Sequence, residues 1–223
     1  MTLPLFLTKR LKYPVGALAF FIMYLMYRYT NHHPVFTPRE LPMLAIDRMV
    51  PFVPWTVLIY VSEYLFFTAV YLVCKDMDNV NKYIYSFFTT QALSCLIFFV
   101  WPTVFPRERF PIPDDINPAL GTLWMWLRNQ DKATNCFPSL HVSTVYLSVY
   151  IFRDEQREKL PFFLVWGTLI AFSTLPTKQH YFADILAGWA LSMFSYWLFH
   201  RKIKYRRVTT QIGNKALQTS HTV

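Results

Sequence analysis

The stretch Val50–Val73, VPFVPWTVLIYVSEYLFFTAVYLV, carries a single charged residue, Glu63. A bilayer core takes roughly 20 apolar residues of helix to cross, within a range of about 17–25. The stretch therefore predicts a membrane span. Five further apolar runs follow the same pattern: Pro14–Tyr27, Tyr83–Phe105, Pro138–Phe152, Pro161–Pro176 and Tyr181–Phe199. Three of them, the first, third and fourth of these five, are short and predict helices that extend through polar end residues. The expected fold is all-α, a polytopic membrane bundle of about six transmembrane helices over residues 14–200. A basic cytoplasmic tail precedes it over residues 1–13, and a basic, disordered tail follows over 201–223.

Composition agrees with a membrane protein. Hydrophobic residues make up 54% of the chain and aromatic residues 19%, with only 16% charged, against about 25% in a soluble protein. The net charge of +9 does not point to nucleic acid, because of where the charges lie. With six spans, the face holding both termini carries 14 of the 22 Lys and Arg residues. The positive-inside rule then puts both termini in the cytoplasm. The basic run after His200 should attract anionic lipid there. Three widely spaced cysteines, Cys74, Cys95 and Cys136, make no disulfide framework and read as free thiols. The low glycine count (five) gives no helix-dimer motif, so the oligomeric state stays open.

Two polar islands interrupt the apolar sequence, Asn135-Cys136-Phe137-Pro138-Ser139-Leu140-His141 and Thr177-Lys178-Gln179-His180-Tyr181-Phe182-Ala183-Asp184. Each stands at the start of an apolar run, and the six-span topology puts both on the non-cytoplasmic face, periplasmic or lumenal. Pro138 suits the first turn of a helix. Ser139 and His141 would follow in that turn, where free N–H groups and the positive helix end favour an anion. His180 and Asp184 are four residues apart and share a helical face. The carboxylate can then hold one ring nitrogen and leave the other to attack or to take a proton. Lys178 adds positive charge. Two histidines, a lysine and a helix start are a set suited to phosphoryl transfer without a metal or other cofactor.

These islands resemble the type-2 phosphatidic acid phosphatase superfamily, which includes lipid phosphate phosphatases. That family carries Pro-Ser-Gly-His and, later, Ser-Arg, five residues, His, three residues and Asp. Here the first reads Pro138-Ser139-Leu140-His141, and the second reads Ser173-Thr174, five residues, His180, three residues and Asp184. The resemblance implies that His180 is a nucleophile forming a phosphohistidine, oriented by Asp184. It implies that His141 protonates the leaving alcohol and that Ser139 helps bind the phosphate. Leu140 stands for the family's glycine and Thr174 for its phosphate-binding arginine. The spelling Pro-Ser-Leu-His with Thr-Lys-Gln-His-Tyr is closer to the branch of inositol phosphorylceramide synthases and related phosphotransferases. The family's lysine before the first island is missing as well. Arg107, in Pro106-Arg107-Glu108-Arg109, is the candidate phosphate clamp beside Lys178, with Arg109 second, since an arginine fork matches phosphate oxygens in pairs.

Other residues carry weaker signals. Glu63 cannot face lipid cheaply and is either functional or hydrogen-bonded inside the bundle. Asp47-Arg48 and Pro51–Trp55 read as an interfacial entry to the second helix, with Trp55 as anchor. His32 and His33 lack partner ligands at a metal-binding spacing. In the loop 106–134, Gly121–Arg128 suits a helix in the interface, either a lid or an inert surface element. Asp131 and Asn135 lie near enough in sequence to support His141. The function expected is hydrolysis of a lipid phosphate. The alternatives are transfer of a phospho-headgroup to a lipid alcohol, or a non-catalytic lipid-binding protein; a metal hydrolase built on His141, His180 and Asp184 is a smaller rival.

Overall fold

A computed structural model describes residues 2–207 and is mainly helical. The elements of eleven residues or more are α1 (Lys12–His32), α4 (Glu63–Val73), α5 (Met77–Val100), α6 (Pro118–Gln130), α7 (Leu140–Tyr150), α8 (Leu160–Ser173) and α9 (Phe182–Trp197), with the five-residue α2 (Ala45–Met49) and α3 (Val57–Val61) between α1 and α4. Among the described residues, three helical stretches are long and apolar enough to cross a membrane: Pro54–Val73, Met77–Val100 and Phe182–Lys202. The second expected span begins at Pro54 rather than Val50, and its helix is broken at Ser62, whose hydroxyl donates back to the Ile59 carbonyl (2.7 Å). Such a back-bond competes with the helical ladder and marks the join of α3 to α4.

α5 starts six residues before the apolar run that announces it. Asp76 caps it, accepting from the Asp78 N–H at 2.9 Å, and its polar first turns are buried rather than a free cytoplasmic turn. Asn79 donates to the Ile151 carbonyl (3.2 Å), and Asn81 accepts from the backbone N–H groups of Phe6 and Leu7 (3.1 Å each). The helix ends at Trp101 because the residue before a proline is pushed out of the helical region.

Four short strands depart from the all-α expectation. β1 (Thr2–Leu5) pairs in parallel with β4 (Lys204–Arg207), Thr2 facing Lys204. Residues 204–207, expected in a disordered tail, are ordered by this pairing; 208–223 lie outside the described residues. β2 (Arg39–Glu40) pairs with β3 (Thr103–Val104) and closes the other end.

α7 is the central helix: of its first nine residues, Leu140 to Ser148, all but His141 and Tyr146 are buried. Glycines on its two neighbours let it in. A Cβ on Gly167 of α8 would lie 2.8 Å from Val145 Cγ1, and one on Gly188 of α9 would lie 2.5 Å from the Ser139 carbonyl oxygen. Small residues at helix contacts are the usual solution where lipid supplies no hydrophobic drive between helices.

At the far end of α7, Asp154 accepts from His200 Nδ1 (2.8 Å), Arg201 (2.7 Å) and the Tyr196 hydroxyl (3.1 Å). Burial works against its charge, but the bonds from His200 and Arg201 outweigh it and hold the carboxyl at about 2. A depressed carboxyl stabilises the fold above its unfolded value of about 3.9 and loses that contribution as pH falls through the folded value. Asp154→Asn is therefore expected to lower the melting temperature by a few degrees at neutral pH. Thermal unfolding in detergent should show the gap to the parent closing between about pH 4 and pH 2.

Candidate active site

Both islands are held by backbone geometry that glycine-poor sequence rarely adopts. Asn135 (φ 64°) and Lys178 (φ 54°) are left-handed, a conformation that is sparse outside glycine and clusters at functional sites. The Phe137–Pro138 peptide bond is cis. Pro138 lies outside the helix, not in its first turn. Ser139 takes the N-cap position instead, its hydroxyl accepting from the Val142 N–H (3.3 Å), as serine does well at helix starts. His141 is then the second helical residue. The two islands meet directly, since the Ser139 N–H donates to the Asp184 carbonyl (3.1 Å).

His180 is buried, and its Nδ1 lies 3.1 Å from the Cys136 carbonyl and 3.3 Å from Asp184 Oδ2. Both are acceptors, which assigns the proton to Nδ1 and leaves the Nε2 lone pair free. Asp184 Oδ2 also accepts the Tyr181 N–H at 2.9 Å, so the carboxylate closes the first turn of α9 while it orients the ring. Asp184 Oδ1 is buried without a partner among the described residues. The Thr174 carbonyl receives the N–H groups of Gln179 (3.0 Å) and His180 (3.3 Å), and the Thr174 hydroxyl turns back to Ala171 (2.7 Å). No charge replaces the arginine at that position.

The second histidine is carried by a different set. His141 Nε2 lies 2.8 Å from Glu63 Oε1, and its ring stacks on Tyr60 with centroids 4.3 Å apart. The Tyr60 hydroxyl is 3.3 Å from His141 Nδ1. The His141 and His180 ring centroids are 5.8 Å apart. Glu63, flagged by its lone charge, thus has a partner, while Tyr60 was missed. Its spacing of three from Glu63 was the available signal, since such residues share a helix face.

The basic residues are placed less simply. Arg107 is buried and grips Asp131 with two nitrogens, NH1 to the carbonyl (2.7 Å) and NH2 to Oδ2 (2.9 Å). Burial opposes its charge, but Asp131 more than compensates and leaves the guanidinium above its ordinary value. Arg107 Nε has no partner among the described residues. Asp131 also takes the Tyr27 hydroxyl and the Asn31 amide (3.3 Å), so it fastens α1 to the loop after α5. Asn135 donates to the Thr30 hydroxyl (3.0 Å). Neither Asp131 nor Asn135 bonds to His141.

Lys178 is bonded to backbone and not to either histidine. It donates to the carbonyls of Asp47 (2.9 Å) and Val50 and lies over the Phe110 ring at 4.8 Å. Burial holds its ammonium below the ordinary lysine value, against the opposing charge of Asp47. Asp47 is architectural: Oδ1 accepts from Phe182 at the start of α9 (2.7 Å) and Oδ2 from Leu44 (2.8 Å). Arg109 forms an exposed pair with Glu40 (2.9 Å). His32 and His33 donate from Nδ1 to the carbonyls of Arg28 (3.0 Å) and Tyr29 (3.1 Å).

A cavity of about 120 Å³ opens on His141, Glu63, Tyr60, Asp131 and Leu140. α6 covers it: Trp124 and Leu127 are buried against Val57 and Tyr60, and Trp124 Nε1 donates to the Pro54 carbonyl (2.9 Å). Met125 and Trp126 on its other face are exposed. Cys136, His180 and Asp184 come within 4.8 Å of one another through their ligand atoms. A thiol, an imidazole and a carboxylate are metal-ligand types; His180 Nδ1 and Asp184 Oδ2 are already bonded to each other, which leaves Asp184 Oδ1 as the carboxylate oxygen free to join such a set. All three cysteines are free and buried.

No curated protein sequence matches the chain. The family model described as the PAP2 superfamily matches residues 52–198, a range that takes in Glu63, Arg107, both islands and the glycines around α7. With its long apolar helices, the chain is a phosphatase-type integral membrane protein and belongs to the PAP2 superfamily, the type-2 phosphatidic acid phosphatases.

Proposed function

We propose that the protein hydrolyses a lipid phosphate through a phosphohistidine on His180, within a six-helix membrane bundle whose termini are cytoplasmic. The observation that carries this reading is the position of His180 Nδ1 beside two acceptors, Asp184 and the Cys136 carbonyl, which leaves Nε2 as the nitrogen with a free lone pair. Nε2 attacks phosphorus, forming a P–N bond as the ester P–O bond breaks. The departing oxygen takes a proton from His141. Water then attacks the phosphohistidine, gives a proton to His141 and releases inorganic phosphate as the P–N bond breaks. Glu63, bonded to His141 Nε2, fixes the ring and balances the charge that the imidazolium carries before the first step and regains in the second. The free N–H groups at the start of α7 and the unpartnered Nε of Arg107 are the donors we assign to the phosphate, with Ser139 at the cap. Lys178 supports the site as a brace, holding the 47–50 segment under the His180 loop, and contacts phosphate only if its ammonium leaves those carbonyls. No step needs a cofactor.

Transfer to a lipid alcohol is the second reading, and Leu140 favours it. This side chain stands where the family has glycine and lines the His141 cavity, where an apolar wall disfavours water as acceptor. The test is an assay with chelator present, on lipid phosphates and phospholipids, with and without ceramide or diacylglycerol. Free phosphate without an acceptor supports hydrolysis; new phospholipid only with an acceptor moves the reaction to transfer. Activity abolished by chelator would replace both with a metal hydrolase.

A further inference from the structure

A second, larger cavity of about 330 Å³ runs between α1, α4 and α5. Its walls are almost entirely apolar, and it shares Phe20, Met23, Phe67 and Phe87 with the cavity that opens on His141. The two adjoin along these four side chains. Along α1 the polar end lies at Tyr27 and the apolar end at Gly16, a distance of about 16 Å at 1.5 Å per residue. Half the hydrocarbon core of a bilayer is about 15 Å. At the far end the Tyr71 ring lies across Gly16, where an added Cβ would come within 2.5 Å of it. Tyr71 is held there by its bond to the Lys12 carbonyl (2.6 Å).

We propose that this groove holds one acyl chain of the lipid substrate, with its phosphate end at His141 and its terminal methyl at the Gly16–Tyr71 contact. The inference rests on the phosphoryl-transfer reading above and adds the part of the substrate that site does not touch. A slot of one leaflet's depth, apolar along its length and polar only where it meets His141, fits an amphiphile with one extended chain. The Tyr71 ring is then a floor that sets chain length. Ala19 lines the groove about one helical turn from its Gly16 end.

The experiment uses the full chain in nanodiscs with dihexanoyl and dioleoyl phosphatidic acid. Ala19→Phe is expected to lower kcat/KM for the dioleoyl substrate by about tenfold or more while changing the dihexanoyl value by less than about twofold. Equal loss on both substrates, or no loss on either, overturns the groove. A photoreactive phosphatidic acid with a diazirine near the chain end supplies a readout that needs no turnover. Labels on residues 16–23, 67–72 or 83–87, lost in Ala19→Phe and retained in His180→Ala, support the groove. Turnover accompanied by labels elsewhere removes the groove and leaves the reaction. Groove labels in a protein without turnover on any lipid remove the reaction and leave the groove.

Discussion

His180→Ala is expected to abolish phosphate release, by at least about 10⁴-fold in kcat, or roughly 5.5 kcal/mol of barrier at 1.36 kcal/mol per decade. The loss is large because the covalent route ends when its nucleophile is removed, and the neighbouring groups then act only on a direct attack by water. His141→Ala should cost less, about 10²–10⁴-fold, the usual worth of a positioned acid or base. The leaving group separates the two roles. A nitrophenyl ester departs without a proton, so His141→Ala should recover most of its first-step rate on that substrate, whereas His180→Ala should recover none. Trapping labelled phosphate on the protein in acid-labile form would be expected in the parent and absent from His180→Ala. If both variants responded alike to the leaving group, the division of labour between the two rings would be wrong.

Gly188→Leu is expected to remove the folded protein altogether. The atom facing Gly188 is the Ser139 carbonyl oxygen, 2.5 Å from where a Cβ would stand, with Val142 Cβ at 3.1 Å and the Ser143 nitrogen at 3.3 Å behind it. Backbone of a capped helix cannot yield as a flexible side chain would, so the cost should exceed the usual 1–3 kcal/mol of overpacking (about that range). Gly188→Ala is the informative milder change. It should leave some folded protein but push α7 from α9, parting His141 from His180, and so lose activity faster than stability. Gly121→Ala, whose Cβ would meet only Ile116 at 3.4 Å, is the control and should be neutral or slightly stabilising, as alanine outranks glycine in helices. Thermal size-exclusion profiles in detergent, paired with turnover, would show a normal melting curve for Gly188→Leu if the contact were unimportant.

The apolar runs and the two islands were legible because their signals are local: hydropathy over a window, and spacings of three and four residues within one helix. His180 and Asp184 needed only that spacing to be paired. The rest depends on partners far along the chain. Asn79 and Asn81 looked like turn residues, yet their amides find Ile151 and the backbone of Phe6 and Leu7, which turns polar sequence into buried helix. Lys178 looked like a phosphate ligand because its charge was visible, while the carbonyls of Asp47 and Val50 that claim it were not. Arg107 was likewise visible without Asp131. Ser139 illustrates a competition between neighbours. Proline and serine both suit a helix start, and the serine took the cap because its oxygen can accept an N–H that proline's ring cannot. Gly188 carried no signal, since one glycine in an apolar helix does not reveal which backbone approaches it.

The pairing of β1 with β4 bears on a question of parity. Residues 2–5 and 204–207 exchange backbone hydrogen bonds in register, so the two segments share one side of any membrane the chain crosses. A path that leaves one side and returns to it crosses an even number of times. If all three stretches long and apolar enough to cross do so, an even count requires at least one more crossing from α1, α7 or α8. A reporter fused at each end would therefore give the same answer at both, whichever side that is.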